Sequence, residues 1–219
     1  ETWNERTRRD ALAFAEDYKG FITRCKTERL AVAHCVELAR KAGFRDIAET
    51  PRLKPGARVY RVNKCKQVVL AVVGERPLAE GARFIVAHID APRLDLKANP
   101  LYQDEGLALL KTCYYGGIKK YQWLSLPLAL YGTAVLKDGS KREIAVGDAP
   151  GDPVFAITDL LPHLARDQYR KTIEEGFPGE SLNILVGNTP AKARGDAKDA
   201  VRRTVLAALK DLFGVGEED

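Results

Sequence analysis

The 219 residues are 45% hydrophobic and 30% charged, the balance of an ordinary globular chain with length for one large or two small cores. A net charge of +5 and a pI near 9.0 raise the question of a nucleic-acid partner. The basic residues interleave with acidic ones and the knots Lys64-Cys65-Lys66 and Lys119-Lys120-Tyr121 are short, so a solvated mixed-charge surface is expected instead. No apolar run approaches the roughly 18–20 residues of a membrane helix, and Glu1-Thr2-Trp3-Asn4 opens no signal-peptide core; the expectation is a cytoplasmic protein without membrane contact.

Residues 5–19 carry Ala11, Phe14, Ala15 and Tyr18 at helical spacing, and Thr27-Glu28-Arg29 opens a second helix with Leu30, Ala33, His34, Val36, Leu38 and Ala39 in its apolar stripe, ended by Gly43. A loop with Pro51, Pro55 and Gly56 leads to strands predicted at 58–62 and 66–73, and Gly81-Ala82 introduces a third in Arg83-Phe84-Ile85-Val86-Ala87. Two helices followed by three closely spaced strands imply a mainly buried sheet with helices packed on it. Pro92 marks a boundary, beyond which 93–97, 107–115, 124–136 and 142–146 read as short strands punctuated by Gly116-Gly117 and Asp138-Gly139, forming a β-rich block. A helix is expected from Thr158 or Asp159 to about Glu175, then a strand at 182–186, a linker at 189–199 containing Pro190 and Gly195, a closing helix at 200–213 and a tail, Gly214-Val215-Gly216-Glu217-Glu218-Asp219, with no folded end.

Cys25, Cys35, Cys65 and Cys113 form no Cys-x-x-Cys pair, which argues against metal ribbons and redox dithiols and for packed, reduced thiols. The chemistry-bearing feature is His88-Ile89-Asp90 at the end of an apolar run, where active sites of α/β sheets collect. His88 is of metal-ligand type, and Asp90, two positions on, is close enough to accept a hydrogen bond from the imidazole N–H turned away from a metal. Pro92 holds Ala91 extended and turns the chain away. A catalytic zinc takes about three protein ligands, and beyond His88 the chain offers only His163 as a further imidazole, so the site begins here without being completed. Glu174-Glu175 and Glu217-Glu218 read as a solvated helix end and a frayed terminus. Gly116-Gly117 lacks the Lys-Ser or Lys-Thr of a phosphate loop, and no Gly-x-Ser-x-Gly occurs.

The run His88-Ile-Asp90-Ala-Pro92-Arg93-Leu94-Asp95, followed by Tyr114-Tyr115-Gly116-Gly117-Ile118, Tyr121-Gln122-Trp123, Pro127-Leu128-Ala129-Leu130-Tyr131-Gly132, Asp152-Pro153-Val154-Phe155 and Leu160-Leu161-Pro162-His163-Leu164, resembles the M18 family of metallo-aminopeptidases, the aspartyl aminopeptidase and aminopeptidase I group, across nearly the whole chain. The resemblance implies an α/β fold: part of a zinc-exopeptidase sheet with flanking helices (1–92), a β-rich dimerisation domain (93–190), and a linker and helix (191–219) leading to the second half of the peptidase domain. It further implies a two-zinc aminopeptidase that acts on peptide substrates as a homo-oligomer, with His88 a zinc ligand, Asp90 its supporting carboxylate, and His163 offered to a neighbouring subunit's substrate pocket. Its remaining metal ligands lie in that second half, so the expected function is the N-terminal portion of such an enzyme, inactive alone. The alternative is a non-catalytic oligomerisation or regulatory subunit.

Overall fold

The computed structural model describes residues 3–191 and 199–218, which form two compact units meeting at Ala91 and Pro92. In the first, helix α1 (Glu5–Arg24) starts where the Asn4 side chain accepts from Thr7 N–H at 2.8 Å, and helix α2 (Glu28–Lys41) where Thr27 Oγ1 accepts from Leu30 N–H at 3.3 Å. Helix α2 ends as expected at Gly43, whose φ of +83° lets Phe44 N–H return to the Ala39 carbonyl at 2.9 Å. Strands β1 (Arg45–Asp46), β2 (Arg58–Asn63) and β3 (Gln67–Val72) pair in the order β1-β2-β3, parallel and then antiparallel. The core of this unit is thin. Ala31, Val32 and Ala39 of α2 and Val59 and Tyr60 of β2 are buried, and Arg40 Nε of α2 donates to the Tyr60 hydroxyl at 2.9 Å.

The strand expected at 83–87 makes no ladder among the described residues: β3 ends the sheet, and the chain continues past a 3₁₀ turn at Leu78–Glu80 as unpaired backbone. A strand forms only beside another, and among the described residues none pairs with this run. Helix α1 likewise buries no residue, with Phe14, Tyr18 and Ile22 exposed.

In the second unit, β4 (Arg93–Asp104) and β5 (Leu107–Tyr115) form an antiparallel hairpin through Glu105-Gly106, both at positive φ as a type I′ turn requires. Strand β4 runs past the expected 93–97 because the register shifts between Leu96 and Leu101, where Asn99 takes a φ of +50°, and this irregularity absorbs Pro100. The expected strand 124–136 is interrupted by Ser125 at φ +57° and by Pro127. Isolated bridges join Leu124 to Ile157 and Leu128 to Phe155, and β6 (Leu130–Val135) begins afterwards, pairing with β7 (Lys141–Val146).

The helix expected over 159–175 does not form. Turns at 161–164 and a 3₁₀ turn at Gln168–Arg170 lead to a single helical turn, α3 (Ile173–Gly176), closed by a reciprocal capping box between Thr172 and Glu175. Leu160, Leu161 and Leu164 are exposed and only Ala165 is inserted into the core, so the apolar residues of this stretch have no common face to bury. Strand β8 (Ile184–Gly187) then adds to β5, giving the sheet β4-β5-β8. Ala108, Leu110 and Thr112 alternate along β5 into the core, joined by Ile157, Leu182, Ala200 and Val201, and the Thr112 hydroxyl donates to the Leu182 carbonyl.

The expected linker falls largely on 192–198, outside the described residues. Helix α4 (Ala200–Phe213) packs on β4, β5 and β8, and its start is held from β4: Gln103 Oε1 accepts from Val201 N–H at 2.9 Å and Arg202 N–H at 3.0 Å. Gly187 makes the close approach possible, since a β-carbon there would lie 2.8 Å from Val205 Cγ2. Against the expectation of a tail without structure, Gly214 reverses the chain at φ +67°. Glu217 then pairs with Arg202, and Glu218 with Lys137 at 2.6 Å.

Candidate metal centre

Residues 83–87, which pair with no strand among the described residues, lead to His88, whose ring lies against Asp90. His88 Nδ1 lies 3.1 Å from the Asp90 backbone carbonyl oxygen and 3.4 Å from its carboxylate. A carbonyl oxygen carries no proton, so Nδ1 is the donor in this pair and the N–H of the neutral ring sits there. Nε2 then holds the lone pair, and the side chain is 87% exposed. An imidazole prepared to bind a metal looks like this: one nitrogen occupied by a backbone or carboxylate acceptor, the other open.

Sequence spacing anticipates the carboxylate but not the carbonyl, which is the nearer acceptor. Side-chain pattern carries no signal for a backbone group, although the two-residue separation brings both within reach. Among the described residues no three His, Cys, Asp or Glu side chains come together to hold a metal ion. By their chemistry and spacing, His88 and Asp90 could serve a metal as one ligand and its support.

The acidic pairs are engaged in structure. Glu175 accepts from the hydroxyl and backbone N–H of Thr172, which hold its carboxyl below the usual range, and Glu217 and Glu218 fasten the chain's end. His163 is exposed in a turn of the second unit and makes no hydrogen bond among the described residues. Gly116 takes a φ of +75° and backs onto Pro92, and a 3₁₀ turn at Lys120–Trp123 follows, so Gly116-Gly117 is a turn and not a phosphate cradle. The second unit also shows a polar ladder that the motif reading passed over. Arg93 Nε donates to Asp95 at 2.7 Å, its guanidinium lies 4.2 Å over the Tyr115 ring, and Lys97 pairs with Glu180. The i, i+2 spacing on a strand and the register Arg93↔Tyr115 are the signals that locate it. No helix among the described residues is long and apolar enough to cross a membrane.

A sequence profile described as aminopeptidase I zinc metalloprotease (M18) matches residues 21–219. A probable M18 family aminopeptidase 1 from Clostridium acetobutylicum is 42% identical over 221 residues, covering 99% of this chain and 47% of the relative. The crystal structure of an M18 family aminopeptidase from Thermotoga maritima superposes with a TM-score of 0.91 at 42% identity, covering 99% of this chain and 47% of that one. Aminopeptidase I from Borrelia burgdorferi B31 gives 0.85 at 38%, covering 99% and 48%. A dodecamer of the Saccharomyces cerevisiae enzyme shares the fold at 0.64 and 19% identity. The chain thus spans about half the length of the relatives it matches, their N-terminal half.

Proposed function

This chain belongs to the M18 aminopeptidase I family of zinc metalloproteases, and from that premise we propose that it is the N-terminal portion of a zinc aminopeptidase that removes N-terminal residues from peptides. The observation that carries the proposal is the exposed ring of His88, tethered through Nδ1 to Asp90. His88 is the zinc ligand this chain contributes. Asp90 keeps the Nδ1 proton in place, orients the ring and raises its basicity through carbonyl and carboxylate. Once bound by all its donors, zinc supplies Lewis-acid activation of the scissile carbonyl and of water.

His163, exposed beside Leu161 and Leu164 in an apolar loop, is offered to a substrate in a neighbouring copy, and the assembly is a homo-oligomer. The dodecameric yeast structure supports an assembled state. We assign residues 1–92 to the peptidase domain, 93–190 to the dimerisation domain and 191–219 to the approach to the second half, and the protein to the cytoplasm.

This portion is inactive alone in that reading, its site being completed by the other half of the peptidase domain. Purified 1–219 is expected to show no hydrolysis of aminoacyl p-nitroanilides. Combined with zinc and the second half of the Thermotoga maritima enzyme, it is expected to release p-nitroaniline. A complex of the two halves that forms and stays inactive would favour the non-catalytic oligomerisation or regulatory subunit.

A further inference from the structure

The second unit grips its own first residues from several sides. Arg93 opens β4 in register with Tyr115, the last residue of β5. A β-carbon on Gly116 would lie 3.6 Å from Cα, Cβ and Cγ of Pro92, so these two residues pack back to back, and the φ of +75° that turns the chain there suits glycine. The Arg93 side chain tightens the grip. Its Nε donates to the Asp95 carboxylate at 2.7 Å, two residues on and therefore on the same face of the strand, and its guanidinium carbon lies 4.2 Å from the centre of the Tyr115 ring on the facing strand. The side chain is 28% exposed, so the charge is held by these partners rather than left to water. The hairpin has little need of such a clamp, because the turn at Glu105-Gly106 closes it and the ladder continues from Leu101 to Asp104. Surface ion pairs also add little to stability by themselves. What the clamp does fix is the point where the chain arrives from Asp90.

We propose that Arg93 is a positioning residue for the metal site: clamped by Asp95 and Tyr115, it anchors the chain at Pro92 and thereby sets where Asp90 presents the acceptors that hold the His88 ring. The inference rests on the functional reading above for the role of His88. The link is short, since only Ala91 separates Asp90 from Pro92, and the proline restricts Ala91 to extended backbone. Both acceptors near His88 Nδ1, the Asp90 carbonyl at 3.1 Å and its carboxylate at 3.4 Å, therefore belong to a segment whose far end is the clamp. The approach from the other side gives the ring less support, because residues 83–87 pair with no strand among the described residues and the His88 side chain is 87% exposed. Releasing Arg93 would leave Asp90 chemically intact and spatially loose. A ligand whose tautomer and direction are set in advance loses less freedom when it binds zinc, which is what the clamp contributes.

The test reads the ring itself rather than hydrolysis. In ¹⁵N-labelled 1–219 the neutral His88 ring of the unsubstituted chain is expected to carry a slowly exchanging proton on Nδ1. Arg93→Gln is expected to lose that signal, or to speed its exchange with water by about tenfold or more, as the ring divides between its two tautomers. Asp95→Ala, at a position 48% exposed, is expected to do the same and decides the matter if Arg93→Gln fails to fold. Lys97→Gln breaks the pair to Glu180 further along β4 and should leave the exchange within about twofold of the unsubstituted chain. Leu182→Ala separates positioning from stability: below its melting midpoint it should keep the signal, although it weakens the second unit more than either clamp variant does. A signal retained in folded Arg93→Gln, or lost as well in Lys97→Gln and Leu182→Ala, would overturn the inference and leave the functional reading standing. An unsubstituted chain with the proton on Nε2 would overturn the reading of His88 and the inference with it.

Discussion

Replacing His88 by alanine in the paired halves is expected to lower aminopeptidase activity by on the order of 10³-fold or more while leaving the heterocomplex intact. Removing a residue that merely supports a metal ligand costs about 10–100-fold in metal affinity or activity, and removing the ligand itself empties a coordination position and alters the charge that activates water. The fold should not notice the change, because the side chain is 87% exposed and its contacts are to Asp90, two residues away. The melting temperature of 1–219 carrying His88→Ala should therefore match wild type, in keeping with the ±0.5 kcal/mol or so of ordinary surface substitutions. Asp90→Asn should fall in the milder range of about 10–100-fold, since the backbone carbonyl that receives the Nδ1 proton remains. Full activity in His88→Ala, measured as p-nitroaniline release with zinc in excess, would remove His88 from the metal site.

The largest stability effect lies in the second unit. Leu182→Ala should destabilise it by about 2–5 kcal/mol, the range for truncating a fully enclosed leucine. Leu182 is 1% exposed between the 3₁₀ turn Gly179–Ser181 and strand β8, and its carbonyl receives the Thr112 hydroxyl from β5. The substitution leaves a void in the core of the second unit, next to a backbone carbonyl on which the hydrogen bond of buried Thr112 depends. Thermal unfolding of 1–219 should show the midpoint lowered by roughly 10 °C. Leu164→Ala, at a position 65% exposed, should move it very little. Equal shifts for the two leucines would mean that the core is elsewhere.

Helices α1 and α2 are legible in the sequence because their 3.6-residue periodicity and polar caps agree, β2 and β3 because they are rich in β-branched residues, and β5 and β7 because turn residues bracket short apolar stretches. The stretch 159–175 misleads: Leu160, Leu161 and Leu164 mimic a helical stripe, but a stripe makes a helix only when something packs on it, and here only Ala165 is buried. Strand β4 is hidden past Lys97 because Asn99-Pro100 reads as a stop, whereas an irregularity in register accommodates both. The capping of α4 by Gln103, 98 residues away, has no local signature at all. The run 83–87 is legible as a strand in composition, yet no described residue pairs with it. At the candidate site, the two-residue spacing discloses that His88 and Asp90 meet, while the part played by the Asp90 carbonyl emerges only from backbone geometry.

The central claim is that the His88 ring is held through Nδ1 so that Nε2 is presented to a metal, and the most direct measurement is ¹⁵N NMR of the His88 ring in 1–219. The account predicts that the proton of the neutral ring sits on Nδ1, with the Nε2 resonance displaced on addition of zinc and the second half while Nδ1 keeps its proton. A ring protonated at Nε2, with both nitrogens indifferent to zinc in the paired protein, would contradict it.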